Sequence, residues 1–148
     1  MLPNCSRGGG GGGGLSSEDH NTIRYLAENH EKIVRSGKNI ENGVDVTTIS
    51  SDPGVAQALK DHVHAMSDRL FVQRQCVRRA DPLFAAICDN IDEMNVSIVD
   101  LVDGVNVQQT GVTPCAISLI QEHKKTVDNF AATGDIRPTF DRHLPLCD

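Results

Sequence analysis

Two histidines and a methionine are the side chains of this chain best suited to chemistry: His62, Met66 and His123. His62 and Met66 stand four residues apart, which puts both on one face of a helix. His123 follows His62 by 61 residues, and the same interval governs the rest of the chain. Shifting the sequence by 61 lays positions 23–69 over 84–130 without a gap. Asn29/Asn90, Ser36/Ser97, Gly43/Gly104, Val46/Val107 and Pro53/Pro114 coincide, and apolar residues exchange for apolar ones elsewhere, as at Leu26/Ile87 and Leu59/Ile120. An internal duplication of this kind predicts a pseudo-twofold plan that carries both imidazoles to related helices under one sheet. Imidazole and thioether suit copper, and His/His or His/Met pairs serve as axial ligands of haem iron. There is no Cys-x-x-Cys-His, so any haem is expected to be non-covalent. The competing expectation is structural: each histidine is a partly buried residue whose ring N–H bonds a carbonyl and fixes helix against sheet.

The elements that must hold these residues repeat as well. Each half reads helix, strand, turn, strand, helix, over units of about 21–70 and 82–131. Ile23, Leu26, Ala27 and Ile33 follow the helical period to about residue 32, and a strand over 33–40 follows. Asn42-Gly43 predicts a tight type I′ turn, whose two central residues need positive φ. Val44, Val46 and Thr48 then alternate with Asp45 and Thr47, so one strand face is buried and the other wet. Asp52-Pro53 and Thr113-Pro114 each set a capping side chain before a proline at the first helical position. Helices over 53–70 and 114–131 follow, and Thr133-Gly134 predicts the stop of the second. A lone hairpin is marginal in water. Two hairpins paired edge to edge predict an α+β two-layer sandwich: a four-stranded antiparallel sheet with the helices on its apolar face.

Composition excludes several classes. Of the 148 residues, 1–20 carry the Gly8–Gly14 run and are expected to form a flexible tether, leaving a single domain over 21–148. The formal net charge of −6 argues against a nucleic-acid binder. Arg69, Arg74, Arg78 and Arg79 crowd the segment between the halves, either as a solvated connector or as a contact for an anion or partner. No stretch approaches a membrane span, and the chain as written predicts a cytoplasmic protein. Cys5 ahead of a Gly-rich arm would suggest export or a lipid anchor only if the true start lay upstream. The five cysteines, Cys5, Cys76, Cys88, Cys115 and Cys147, contain no Cys-x-x-Cys and predict a reducing compartment, with Cys88 as core filler. Cys115 at a helix amino terminus and Cys76 among arginines are the candidates for a reactive thiol. Asp89, Asp92 and Glu93 crowd one short helix, and nothing matches a nucleophile elbow, a P-loop or a His-Glu-x-x-His helix.

Thr47-Thr48-Ile49-Ser50-Ser51-Asp52-Pro53, Lys60-Asp61-His62-Val63 with Met66, Arg79-Ala80-Asp81-Pro82-Leu83-Phe84 and Leu119-Ile120-Gln121-Glu122-His123 resemble a family of small, uncharacterised bacterial proteins built from tandem αββα units. The resemblance spans about residues 21–135 and implies fold and extent, with no activity attached. This chain departs from that pattern in its poly-Gly head and in Thr113-Pro114-Cys115, which replaces the Ser-Asp-Pro cap. The sequence therefore predicts a non-catalytic binding domain holding a transition metal or haem at His62, Met66 and His123. The alternative is a homodimer or larger homo-oligomer built through the open sheet, with no cofactor. A weaker alternative is a thiol-based redox-sensitive protein.

Overall fold

Helix starts are written by short polar caps, and the computed structural model, which describes residues 16–137, uses them all. Helix α1, Ser17–Glu28, opens on a capping box: the Ser16 hydroxyl accepts from the Asp19 amide at 3.0 Å, and the Asp19 carboxylate accepts from the Ser16 amide at 3.3 Å. The helix therefore begins inside the stretch expected to be a tether; the remainder of that stretch, up to residue 15, lies outside the described residues. Asp52 caps α2, Pro53–Ser67, and Asp81 caps α3, Pro82–Asp89. Thr113 caps α4, Pro114–Thr133, which stops at Gly134 in a left-handed conformation at φ 75°. The expected helix to residue 70 instead ends at Ser67 and widens into one π turn, Asp68–Val72, which sends Leu70 and Phe71 onto the core.

The four strands are β1, Val34–Ile40; β2, Gly43–Ile49; β3, Met94–Leu101; and β4, Gly104–Gly111. They form one antiparallel sheet in the order β1-β2-β4-β3. This is the predicted α+β sheet with the hairpins joined through β2 and β4. The hairpin registers match at an offset of 61: Val34 faces Ile49, and Asn95 faces Thr110. At the junction Val46 faces Val107.

The type I′ prediction for Asn42-Gly43 fails. Ile40 pairs directly with Gly43, so Glu41 and Asn42 form the turn, and neither Asn42 nor Gly43 has positive φ. Gly43 serves the junction instead. A Cβ there would collide with the carbonyl oxygen of Gln109, and one at Gly104 with that of Thr48. The hairpin tips are tied across the same junction: Gly111 N–H donates to Asn42 O and Ser50 N–H to Asp103 O, both at 2.8 Å.

All helices pack on one face of the sheet. Helix α2 lies chiefly over β4, and α4 over β4, β2 and β1, so each long helix covers strands of the other hairpin. Two buried clusters result. Leu26, Val55 and Leu59 form one; the other contains Ile87, Ala116 and Ile120, with Val44, Val46, Leu83 and Leu119. On the uncovered face the Asn106 side chain donates to Asp45 Oδ1 and Thr47 Oγ1, each at 2.9 Å.

Candidate functional site

Between the sheet and the long helices lies a cavity of about 510 Å³. Members of both buried clusters line it, Leu26 and Leu59 from one and Val44, Val46 and Ile87 from the other. Its floor is the inner sheet face, including Val96, Ile98, Val105 and Val107. His62, Met66 and His123 all line it too, so the structure brings the three predicted site residues to one cavity.

Each reaches it by a different environment. His62 projects from the middle of α2, and its Nδ1 is buried with no hydrogen-bond partner. Burial pushes its pKa from 6.5 down to about 4, against the opposing pull of the Asp19 charge, so the imidazole is neutral near pH 7. A neutral ring is the form that ligates metal. His123, on α4, meets the Phe84 ring edge-on at 5.6 Å between centroids, and the Arg78 guanidinium lies 5.6 Å from the centre of the same ring. His64, two residues from His62, turns outward and meets Asp100 at 2.7 Å. Among the described residues no group of three or more His, Cys, Asp or Glu side chains is arranged to hold a metal ion.

No family model, curated protein or solved structure matches this chain.

The cysteine expectations are corrected. Cys76 and Cys88, 2% and 1% exposed, are joined by a disulfide that ties the connector to α3. Two positive-φ residues, Arg74 at 58° and Arg78 at 52°, stand on either side of Cys76 in the connector, and the Cα atoms of Cys76 and Cys88 lie 5.6 Å apart. Cys88 is thus half of a cross-link rather than core filler. Cys115 is also disulfide-bonded. Neither candidate thiol is free, so neither is a nucleophile in this state.

The arginine cluster is engaged within the chain. Arg69 meets the buried Asp19 at 2.5 Å, Arg74 pairs with Asp92, Arg78 donates to the Ile136 carbonyl, and Arg79 meets Asp89 at 3.1 Å. These contacts pin the connector to α1, to the turn after α3 and to the chain beyond α4. They serve the fold before any external anion.

A buried ion cluster at the cavity was not among the sequence expectations. Arg35 points from edge strand β1 into the cavity, only 16% exposed at its side chain. Its Nε donates to Asp128 at 2.6 Å and its Nη1 to Thr48 Oγ1 at 3.1 Å. Lys124, 17% exposed, holds the other Asp128 oxygen at 2.8 Å. Burial pushes the Arg35 pKa down, while the bond to Asp128 pulls it back up. Strand β1 itself does not alternate, and the one sequence signal is the 61-residue offset, which lays Arg35 over Val96 of the buried face.

Proposed function

We propose that this protein is a non-catalytic binding domain that holds a ligand of cofactor size between its sheet and its two long helices. The observation that carries this reading is the single cavity of about 510 Å³ onto which His62, Met66 and His123 open together. Its volume falls in the range that houses compact organic ligands, and its lining combines an apolar floor with polar and charged side chains, His62, His123, Arg35 and Lys124 among them. Neutral His62, with a buried ring nitrogen that lacks a partner, is suited to a ligand that brings its own acceptor or metal. Between the metal forms, non-covalent haem is favoured over copper: a lone ion coordinated by two imidazoles and a thioether needs no chamber of this size. The pseudo-twofold relation of the two histidines supports a shared site, and the matching hairpin registers support that relation.

Titration of the purified protein with haemin tests the proposal. One equivalent is expected to give a sharpened, red-shifted Soret band, and His62→Ala or His123→Ala should each weaken binding by about tenfold or more. An unchanged free-haemin spectrum, together with no copper retained after dialysis, would remove the metal from the reading.

A second reading is a homo-oligomeric module. It is favoured by the helix-free outer sheet face, where Val34 is 60% and Val99 52% exposed beside the unpaired edges of β1 and β3. Light scattering after size exclusion separates the two, because a ligand-free dimer indifferent to either histidine substitution supports only the second. Among the described residues no helix is long and apolar enough to cross a membrane. The paired cysteines favour an oxidising compartment over the cytoplasmic expectation.

A further inference from the structure

The duplication is broken at one end of the cavity, and the break has a chemical direction. Where the second half places Val96 on the inner face of its edge strand, the first places Arg35. Where α2 presents Val63 and Ser67, α4 presents Lys124 and Asp128. One end of the chamber is therefore uncharged at these three positions, with Val96, Val63 and Ser67. The other carries two cations, Arg35 and Lys124, whose Nε and Nζ share Asp128 on the side away from the chamber lining. A second cleft of about 490 Å³ adjoins this end and is lined by the same three charged residues. Across the cavity and this cleft, among the described residues, five basic side chains stand beside the carboxylates of Asp81, Glu122, Asp128 and Asp135, in a chain whose net charge is −6.

Placing Arg35 and Lys124 against an apolar chamber costs desolvation that one carboxylate only partly offsets. The planar guanidinium presents a fork of donors, and Asp128 and Thr48 take only Nε and Nη1. A ligand that brought one further carboxylate to this end would balance the charge and use the remaining fork.

We infer that the cavity is built for an amphipathic carboxylate, its apolar body lying between sheet and helices and its acid group received by Arg35 and Lys124 at the β1–α4 end. The inference rests on the cavity being a ligand site, as proposed above, and narrows the chemistry of what enters it. Two sources share that chemistry: a haem, through its propionates, and a long-chain fatty acid, through its single headgroup.

Four probes separate them: haemin, haemin dimethyl ester, a fluorescent C18 polyene fatty acid and its methyl ester. Each is titrated into the full-length wild type and into Arg35→Gln and Lys124→Gln variants, with circular dichroism and melting checking that each variant is folded. Each acid that binds should do so about tenfold or more tighter than its ester, the scale of a charge-assisted contact. Arg35→Gln should shrink that ratio to about twofold or less while the affinity for the ester stays put. Binding of acid and ester with equal affinity to the wild type would overturn the inference and leave the cavity reading standing. Loss of acid and ester binding in equal measure in both folded variants would also overturn it, showing a purely structural role. Failure of haemin with success of the fatty acid would remove haem and keep the carboxylate. If none of the four binds, both the inference and the cavity reading fall.

Discussion

Several identities shared by the two halves have contact-level reasons. Asn29 and Asn90 end α1 and α3, and each side-chain amide donates to the carbonyl four residues back, Tyr25 or Ala86, at 2.8 Å. Gly43 and Gly104 stand where β2 and β4 approach too closely for a Cβ. Gly104→Ala should therefore destabilise the protein by about 2 kcal/mol or more, because the obstructing atom is a backbone carbonyl that cannot rotate away. Urea unfolding checks this, and a loss under 0.5 kcal/mol, roughly the size of a neutral surface change, would refute it. His62 makes a pH-dependent prediction. Folding lowers its pKa from 6.5 to about 4, so between those values the unfolded chain binds more protons than the folded one. Stability from this group is complete above pH 6.5 and drains away as pH falls toward 4. The loss should reach about 3 kcal/mol, and His62→Leu should flatten that part of the stability–pH curve.

The elements are held at their ends. Asp52 accepts from the amides of Gly54 and Val55 at 2.9 and 3.1 Å and also meets Lys32 at 3.1 Å, contacts that hold its pKa below the usual carboxylate range. Asp52→Ala should lower the melting temperature through the lost cap, with little from the exposed ion pair, so that Lys32→Ala leaves the melt nearly unchanged. The connector between the halves depends on its cross-link. Cys76 and Cys88 are 12 residues apart, and closing a loop of that length restricts the unfolded chain by about 3 kcal/mol. The Cys76→Ser/Cys88→Ser pair should lower unfolding free energy by that order. A reductant should do likewise to the wild type and have less effect on the double variant. Melting with and without dithiothreitol reads the difference.

In the molecule as a whole, two clusters of equivalent residues leave a chamber between them instead of meeting. The centre of its floor is Val107, opposite Val46 at the junction of the hairpins. In a filled core, Val107→Phe would cost about 1–3 kcal/mol in overpacking. Here the larger ring has space, so stability should change by less than about 1 kcal/mol while binding of any cavity ligand falls sharply. A severe loss of stability with unaltered haemin or fatty-acid binding would place the ligand elsewhere. Each long helix covers strands of both hairpins, so the two halves share one apolar interior.

Periodicity, capping pairs and the 61-residue echo were enough to read an antiparallel α+β sheet with helices on one face. Those features are local, and a proline after Asp52 or an alternation through Val44 and Val46 carries its meaning within a few residues. The same locality explains the misses. Ser16-Ser17-Glu18-Asp19 is a capping box, yet its nearness to poly-Gly hid the start of α1. Asn42-Gly43 looked like a turn, but Gly43 answers to Gln109 across the sheet, a contact no hairpin rule contains. Cys76 and Cys88 could not be paired from spacing, since the pairing depends on how the connector folds back against α3. His62, Met66 and His123 were legible as candidates from helical spacing and repetition. That they face one chamber, and that Arg35 and Lys124 charge a single end of it, follows from packing between elements distant in sequence, because burial and the pKa it shifts belong to a three-dimensional surrounding.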